Sequence, residues 1–267
     1  MVTTLLLTAI ISQHSPQRLH WKPRVDIPVT AALGAGWIVS EVFKKELAPN
    51  ACRWCDSNAF DLGVRRLFNP SLSPSPDGLA PAHVASNLVG FVAVPLGMLG
   101  LDALLAYRDG SLGDTFLVDA LLILETTLSA MAVNQLVKFS VGRARPYALG
   151  ASAEVVAQGH DIADNNMSFF SGHSTLAFAL VASTATIAEL RGYRNAWLVW
   201  VVGLPLAAST AVLRLAADKH WATDVLVGSA LGTLAGALMP RLLHARVGPI
   251  HARIAPVGTG LGLVGHF

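Results

Sequence analysis

The stretch Thr115-FLVDALLILETTLSAMAVNQLV-Lys138 is 24 residues long and predominantly apolar. That exceeds the roughly 20 residues a helix needs to cross about 30 Å of hydrocarbon. Stretches of the same kind lie on either side of it, at 27–43, 84–107, 171–190, 196–215 and 222–243. Hydrophobic residues make up 53% of the 267-residue chain and charged residues 13%, a balance that fits poorly with a soluble globule. The expected fold is therefore an all-α polytopic membrane bundle of about six transmembrane helices. Gly34, Gly36, Pro95, Gly97 and Pro205 fall inside these spans, and membrane helices tolerate them because neighbouring helices re-satisfy the backbone.

Lys138 ends the third span and begins a motif, Lys-x6-Arg-Pro, completed by Arg145 and Pro146. Ser171-Gly172-His173 opens the fourth span. Arg214 ends the fifth, and His220 and Asp224 open the sixth as Arg-x5-His-x3-Asp. A count of spans made without reference to these motifs puts all three at one membrane face.

The net charge of +2 is too small for a nucleic-acid partner, which needs clustered basic residues on a soluble face. Basic residues instead mark topology. Arg18, Lys22, Arg24, Arg108, Arg191, Arg194, Arg241, Arg246 and Arg253 fall on the side opposite the motifs, and the positive-inside rule makes that side cytoplasmic. The motifs then face outward, with the 44–83 loop, as in a bacterial-type inner membrane with a periplasmic site. Lys44, Lys45, Arg53, Arg65, Arg66 and Arg143 share that outer side, but long loops count less in the rule.

The domain reading is an N-terminal segment at 1–25, a six-span unit at 26–243 and a Gly/Pro-containing tail at 244–267. The apolar run Met1 to Ser12 has no Lys or Arg before it and no clear small-x-small cleavage site after it, so it reads as an uncleaved or vestigial segment. Within the outer loop, Cys52-Arg-Trp-Cys55 allows a short-loop disulfide, free structural thiols or redox chemistry. Asn58 to Phe68 alternates apolar and charged residues, as in a short amphipathic helix at the interface or a solvated loop helix. Asn69 to Gly78 is too rich in Pro and Ser for a regular helix.

The chemistry these residues carry is that of a phosphate ester. Arg145 and Arg214 grip phosphate oxygens with planar guanidinium groups, and Lys138 adds a point charge. Ser171 offers a hydroxyl, and the Gly172 and His173 amides open a helix whose orphan N–H groups suit an anion. His220 and Asp224, four apart, share a helix face, so the carboxylate is expected to accept the imidazole Nδ1–H and leave Nε2 as nucleophile. His173 is then available as general acid.

This pattern resembles the type 2 phosphatidic acid phosphatase superfamily, related to vanadium haloperoxidases. The resemblance rests on Lys138-x6-Arg145-Pro146, Ser171-Gly172-His173 and Arg214-x5-His220-x3-Asp224, and by topology covers about 26–243. It implies a phosphohistidine on His220 oriented by Asp224, leaving-group protonation by His173, and phosphate binding by Lys138, Arg145, Ser171, Gly172 and Arg214. No metal and no cofactor are implied. Two positions depart from the family pattern: Phe170 stands where Pro usually precedes Ser-Gly-His, and Leu213 where Ser usually precedes the Arg. Phe170 gives up a fixed φ, and Leu213 one hydroxyl.

The resulting expectation is a lipid phosphatase acting on a phosphate monoester or pyrophosphate of a phospholipid, an isoprenoid or lipid A. A phosphotransferase and a non-catalytic anionic-lipid-binding protein are the alternatives, and His220 with Asp224 argues against pure binding. A transporter would need ionisable groups near span centres, where only a few candidates such as Glu125 and Asn134 stand. Oligomeric state has no signature in the chain.

Overall fold

The structure, a computed structural model, describes residues 17–72, 80–149 and 164–245, and the backbone of two strands at Arg253–Val257 and Gly260–Val264. The Met1 to Ser12 run, residues 73–79 of the Pro/Ser stretch, residues 150–163 and the rest of the tail lie outside the described residues. In chain order the helices are α1 (Pro23–Val42), α2 (Lys44–Leu47), α3 (Ala59–Phe68), α4 (Ala80–Leu88), α5 (Val94–Arg108), α6 (Leu112–Val141), α7 (Gly172–Arg191), α8 (Trp197–Ala216) and α9 (Ala222–Leu243). A π-helical turn, Val89–Ala93, joins α4 to α5. Pro95, just inside α5, cannot donate a backbone hydrogen bond and its ring crowds the preceding turn, so the chain widens there without breaking. The two strands in the Gly/Pro-containing tail pair antiparallel, Arg253 opposite Val264.

Among the described residues, five helical stretches are long and apolar enough to cross a membrane: α1, Pro81–Arg108, α6, α8 and α9. The expected fourth span, α7, is also 20 residues long but does not reach that apolarity. Its position explains why. Fifteen of its residues are buried, among them Ser174, Thr175, Ser183, Thr184 and Thr186, and it packs on α5, α6, α8 and α9. A helix surrounded by protein can carry hydroxyls and alanines that bond and fit between helices. The six-span expectation thus becomes five apolar crossings around one more polar central helix. The lipid-facing perimeter is apolar instead: Leu117 is 78% exposed and Leu136 69%, leaving broad hydrocarbon surface that only a bilayer would cover. The protein is an integral membrane helix bundle.

Close approach of α9 to α7 sets the geometry of the centre. A Cβ placed on Gly228 would lie 2.6 Å from the Ser171 carbonyl oxygen, and one on Gly232 2.5 Å from that of Thr175. Glycine at four-residue spacing lets the two backbones touch, which holds the start of α7 against the start of α9. The loops gather at the two ends of the bundle. At one end Arg53 N–H donates to the Gly142 carbonyl and Tyr147 N–H to that of Asp218. At the other Gln17 N–H donates to Arg191 O and His20 N–H to His244 O. All three motifs lie at the first end.

Candidate active site

A cavity of about 460 Å³ opens at that end, and Lys138, Arg145, Gly172, His173, Arg214 and His220 all line it. Each arrives for a local reason. Gly142, at φ +61°, ends α6 in the left-handed conformation that Gly accepts readily, so Lys138 sits in the last turn. Arg145 precedes Pro146 and is held extended (ψ 153°), which sends its side chain back under the bundle. Its Nε donates to the Asp164 carbonyl at 2.7 Å, and its Nη1 donates to the Lys219 carbonyl at 2.8 Å and lies 3.3 Å from His220 Nε2. Arg214, near the end of α8, has its Nη1 3.1 Å from His83 Nδ1 and 3.0 Å from Ser86 Oγ.

His173 meets an unexpected partner. Its Nε2 lies 2.8 Å from Asn87 Oδ1, an oxygen that can only accept, so this nitrogen is the donor of the pair. The Phe91 ring packs edge-on against it at 4.5 Å. His83, Ser86 and Asn87 occupy one face of α4, which the sequence reading used only as the entry to an apolar span. Their three- and four-residue spacing on an otherwise apolar helix was the one available signal.

His220 is oriented differently from the expectation. Its Nδ1 is 2.8 Å from the Ser168 carbonyl oxygen and 3.7 Å from Asp224 Oδ2, so the backbone, not the carboxylate, takes the Nδ1 hydrogen bond. Asp224 acts one step back: Oδ2 accepts from the Ser168 hydroxyl and from Trp221 N–H at 2.9 Å, and Oδ1 accepts from Arg143. As N3 residue of α9, Asp224 caps the helix start, and that short reach keeps it from the imidazole. Burial first, then the nearby Arg145, Arg214, Lys138 and His173, push the His220 imidazole well below its ordinary value of 6.5, so it is neutral, with its Nε2 lone pair facing Arg145 Nη1 in the cavity.

Ser171 also departs from its expected place. It is fully buried, does not line the cavity, and its Oγ caps α7 by accepting from the Ser174 hydroxyl at 3.0 Å and Ser174 N–H at 3.4 Å. The two departures from the family pattern are compensated. Asn134 Nδ2 donates to the Phe170 carbonyl at 2.7 Å, pinning the loop that a proline ring would have stiffened. Ser86 supplies Arg214 with the hydroxyl that Leu213 lacks.

Toward its mouth the cavity is lined by Trp37, Glu41, Lys44, Phe91, Met131 and Asp164, among others. Asp164 pairs with both Lys44 and Arg145. Burial raises its carboxyl, but Arg145 and Lys44 outweigh that and hold it well below the usual carboxylate range. Among the described lining residues, four cations face two carboxylates. Cys52 and Cys55 are joined as a disulfide, their Cα atoms 5.4 Å apart. Among the described residues no group of three or more His, Cys, Asp or Glu side chains is placed to hold a metal ion.

Comparison with known proteins agrees with the motifs. Residues 119–247 match the model of the PAP2 superfamily, so the resemblance read from the three motifs stands for that segment. The lipid A 1-phosphatase of Porphyromonas gingivalis is 36% identical over 102 residues, 38% of this chain and 18% of that protein's length. The crystal structure of the first transmembrane PAP2 type phosphatidylglycerolphosphate phosphatase from Bacillus subtilis aligns with a TM-score of 0.49 and 18% identity, covering 80% of this chain and 94% of that one.

Proposed function

We propose that this integral membrane protein, with its PAP2 superfamily segment at 119–247, hydrolyses a phosphate monoester or pyrophosphate on a lipid through a phosphohistidine on His220, without a metal ion. The observation that carries the proposal is the position of His220 Nε2 among Lys138, Arg145 and Arg214 at the α7 N-terminus, in one cavity. Three cations and the Gly172 and His173 amides would hold the phosphoryl oxygens and stabilise the charge that builds up on them. His220 Nε2 attacks phosphorus while the bond to the lipid oxygen breaks, and His173, carrying a second ring proton as imidazolium once the anionic phosphate is bound, gives one proton to the leaving oxygen and returns to neutral imidazole. The positive charge on the alkylated-like imidazole is stabilised by Ser168 O and by Asp224 behind it. His173, now a base, takes a proton from water, whose oxygen attacks phosphorus and breaks the P–N bond to release inorganic phosphate.

The surplus of two cations around the cavity matches one bound phosphoryl group of about −1.5 to −2, which favours a monoester over a diphosphate. The apolar lining of Trp37 on α1, Met131 on α6 and Phe91 in the π-helical turn suits the start of the lipid tails. The name of the Porphyromonas relative adds a lipid A phosphate to phosphatidic acid and phosphatidylglycerophosphate as substrates to test. The distribution of basic residues supports a site facing the outer side.

The test is phosphate release by detergent-purified protein across these lipids, with and without chelator. The expected result is turnover that survives chelation and disappears in His220→Ala and His173→Ala with the fold intact. Retained turnover in His220→Ala overturns the nucleophile, and strict metal dependence overturns the metal-free pocket.

A further inference from the structure

The loop between α1 and α4 places a buried charged network behind His220 that the chemistry above does not use. Arg143 is 1% exposed and lies between two carboxylates, its Nη2 2.6 Å from Asp61 Oδ2 and its Nη1 2.5 Å from Asp224 Oδ1. Asp61 is fully buried, and its Oδ1 also accepts from Thr223 N–H at 2.9 Å, so α3 docks on the first turn of α9. The amphipathic helix expected at an interface or in solvent is therefore packed against the rear of the site. Trp54 lies over the Arg143 guanidinium at 4.0 Å, and the Trp54 backbone is tied to Gly142 and Ala144 on either side of Arg143. Trp54 itself sits inside the Cys52–Cys55 disulfide.

We propose that Asp61 and Trp54 are positioning residues for His220, acting through Arg143, and that the Cys52–Cys55 disulfide holds them in place. The inference rests on the reading of His220 as nucleophile. Two routes connect them. The Arg143 backbone carbonyl accepts from Ser168 N–H at 3.0 Å, and Ser168 O is the group that takes the His220 Nδ1 hydrogen bond. Arg143 also binds Asp224, which holds the Ser168 hydroxyl. The charges matter as well as the positions. One guanidinium shared by two carboxylates leaves a net negative charge behind His220, where the imidazole becomes positive as Nε2 bonds to phosphorus. With Asp61 neutral, Arg143 cancels Asp224 and that stabilisation is lost, while the phosphate-binding cations on the far side of the ring are untouched.

The experiment uses the full chain in detergent with short-chain phosphatidic acid as substrate and inorganic phosphate as competitive inhibitor. Asp61→Asn is expected to lower kcat roughly 10- to 100-fold, the range expected for a small displacement or lost stabilisation at a reacting group. KM and the phosphate inhibition constant stay within about twofold, and kcat is expressed per folded protein, quantified by the monodisperse fraction in detergent, because unfolded protein alone would lower apparent kcat without moving KM. Trp54→Ala and Cys52→Ser with Cys55→Ser lower kcat in the same sense, and reduction of the wild-type disulfide reproduces the double serine variant. If Asp61→Asn fails to fold, these last two carry the test. Wild-type kcat in the folded variants overturns the inference, as does parallel loss of kcat and phosphate affinity. Activity in His220→Ala would instead overturn the nucleophile, a separate failure.

Discussion

Replacing Gly172 by alanine tests whether the α7 N-terminus is the phosphate cradle. An added Cβ would lie 3.0 Å from Asn134 Oδ1 and 3.1 Å from Lys138 Nζ, so a neighbour must yield by a few tenths of an ångström. Asn134 is tied to the Phe170 carbonyl at 2.7 Å and has little freedom, whereas the end of Lys138 can swing aside. The fold should survive, with a methyl group standing between the ammonium and the helix amides. The loss is about one hydrogen bond to a charged group, ~1.5–3 kcal/mol. At 1.4 kcal/mol per factor of ten, phosphate should bind roughly 10- to 150-fold more weakly. The assay is competitive inhibition of lipid hydrolysis by inorganic phosphate, with the thermal midpoint in detergent as control. An inhibition constant within twofold of wild type, with an unchanged midpoint, would refute the assignment of this helix start.

Two further outcomes follow from the geometry. Because burial and the surrounding cations depress the His220 value below 6.5, this proposed nucleophile is neutral at pH 7 and stays so on mild acidification. The acid limb of kcat/KM attributable to His220 should therefore lie below pH 6.5, and a wild-type profile whose acid limb lies at or above that value would contradict it. Gly232→Val should push α9 off the Thr175 carbonyl, which an added Cβ would approach to 2.5 Å. Overpacking of this kind costs about 1–3 kcal/mol or more, so the unfolding midpoint should fall by roughly 5 °C or more. Gly100→Ala, with nothing within 4 Å of the new carbon, should leave it unchanged and serves as the control.

The positions of the helices were legible along the chain because hydrocarbon crossing is a local requirement. Each observed helix lies within a few residues of its expected span, as with Leu112–Val141 against 115–138. The helix expected at 171–190 is present as α7, and only its more polar character has a non-local reason. Its Ser and Thr face other helices, and nothing in its own sequence says which faces lipid.

The cavity residues were legible for a related reason. Charged and imidazole groups at the ends of apolar helices cannot sit elsewhere without cost, so Lys138, Arg145, His173, Arg214 and His220 were marked by their location alone. What surrounds them was not. Asn87, Ser86 and His83 reach the site from a helix more than 80 residues away in sequence, and Ser168 and Arg143 displace Asp224 from its expected partner.

By itself, the order of apolar runs and polar breaks determined that the chain is a membrane bundle with three phosphate-type motifs at one end, since hydropathy and span length act residue by residue. Tertiary structure alone decided which atom meets His220 Nδ1, why Ser171 is a cap, and that Trp54 and Asp61 lie against Arg143. Those are choices among hydrogen-bond partners within a few tenths of an ångström, and only packing α3, α4, α7 and α9 together brings the competitors within reach.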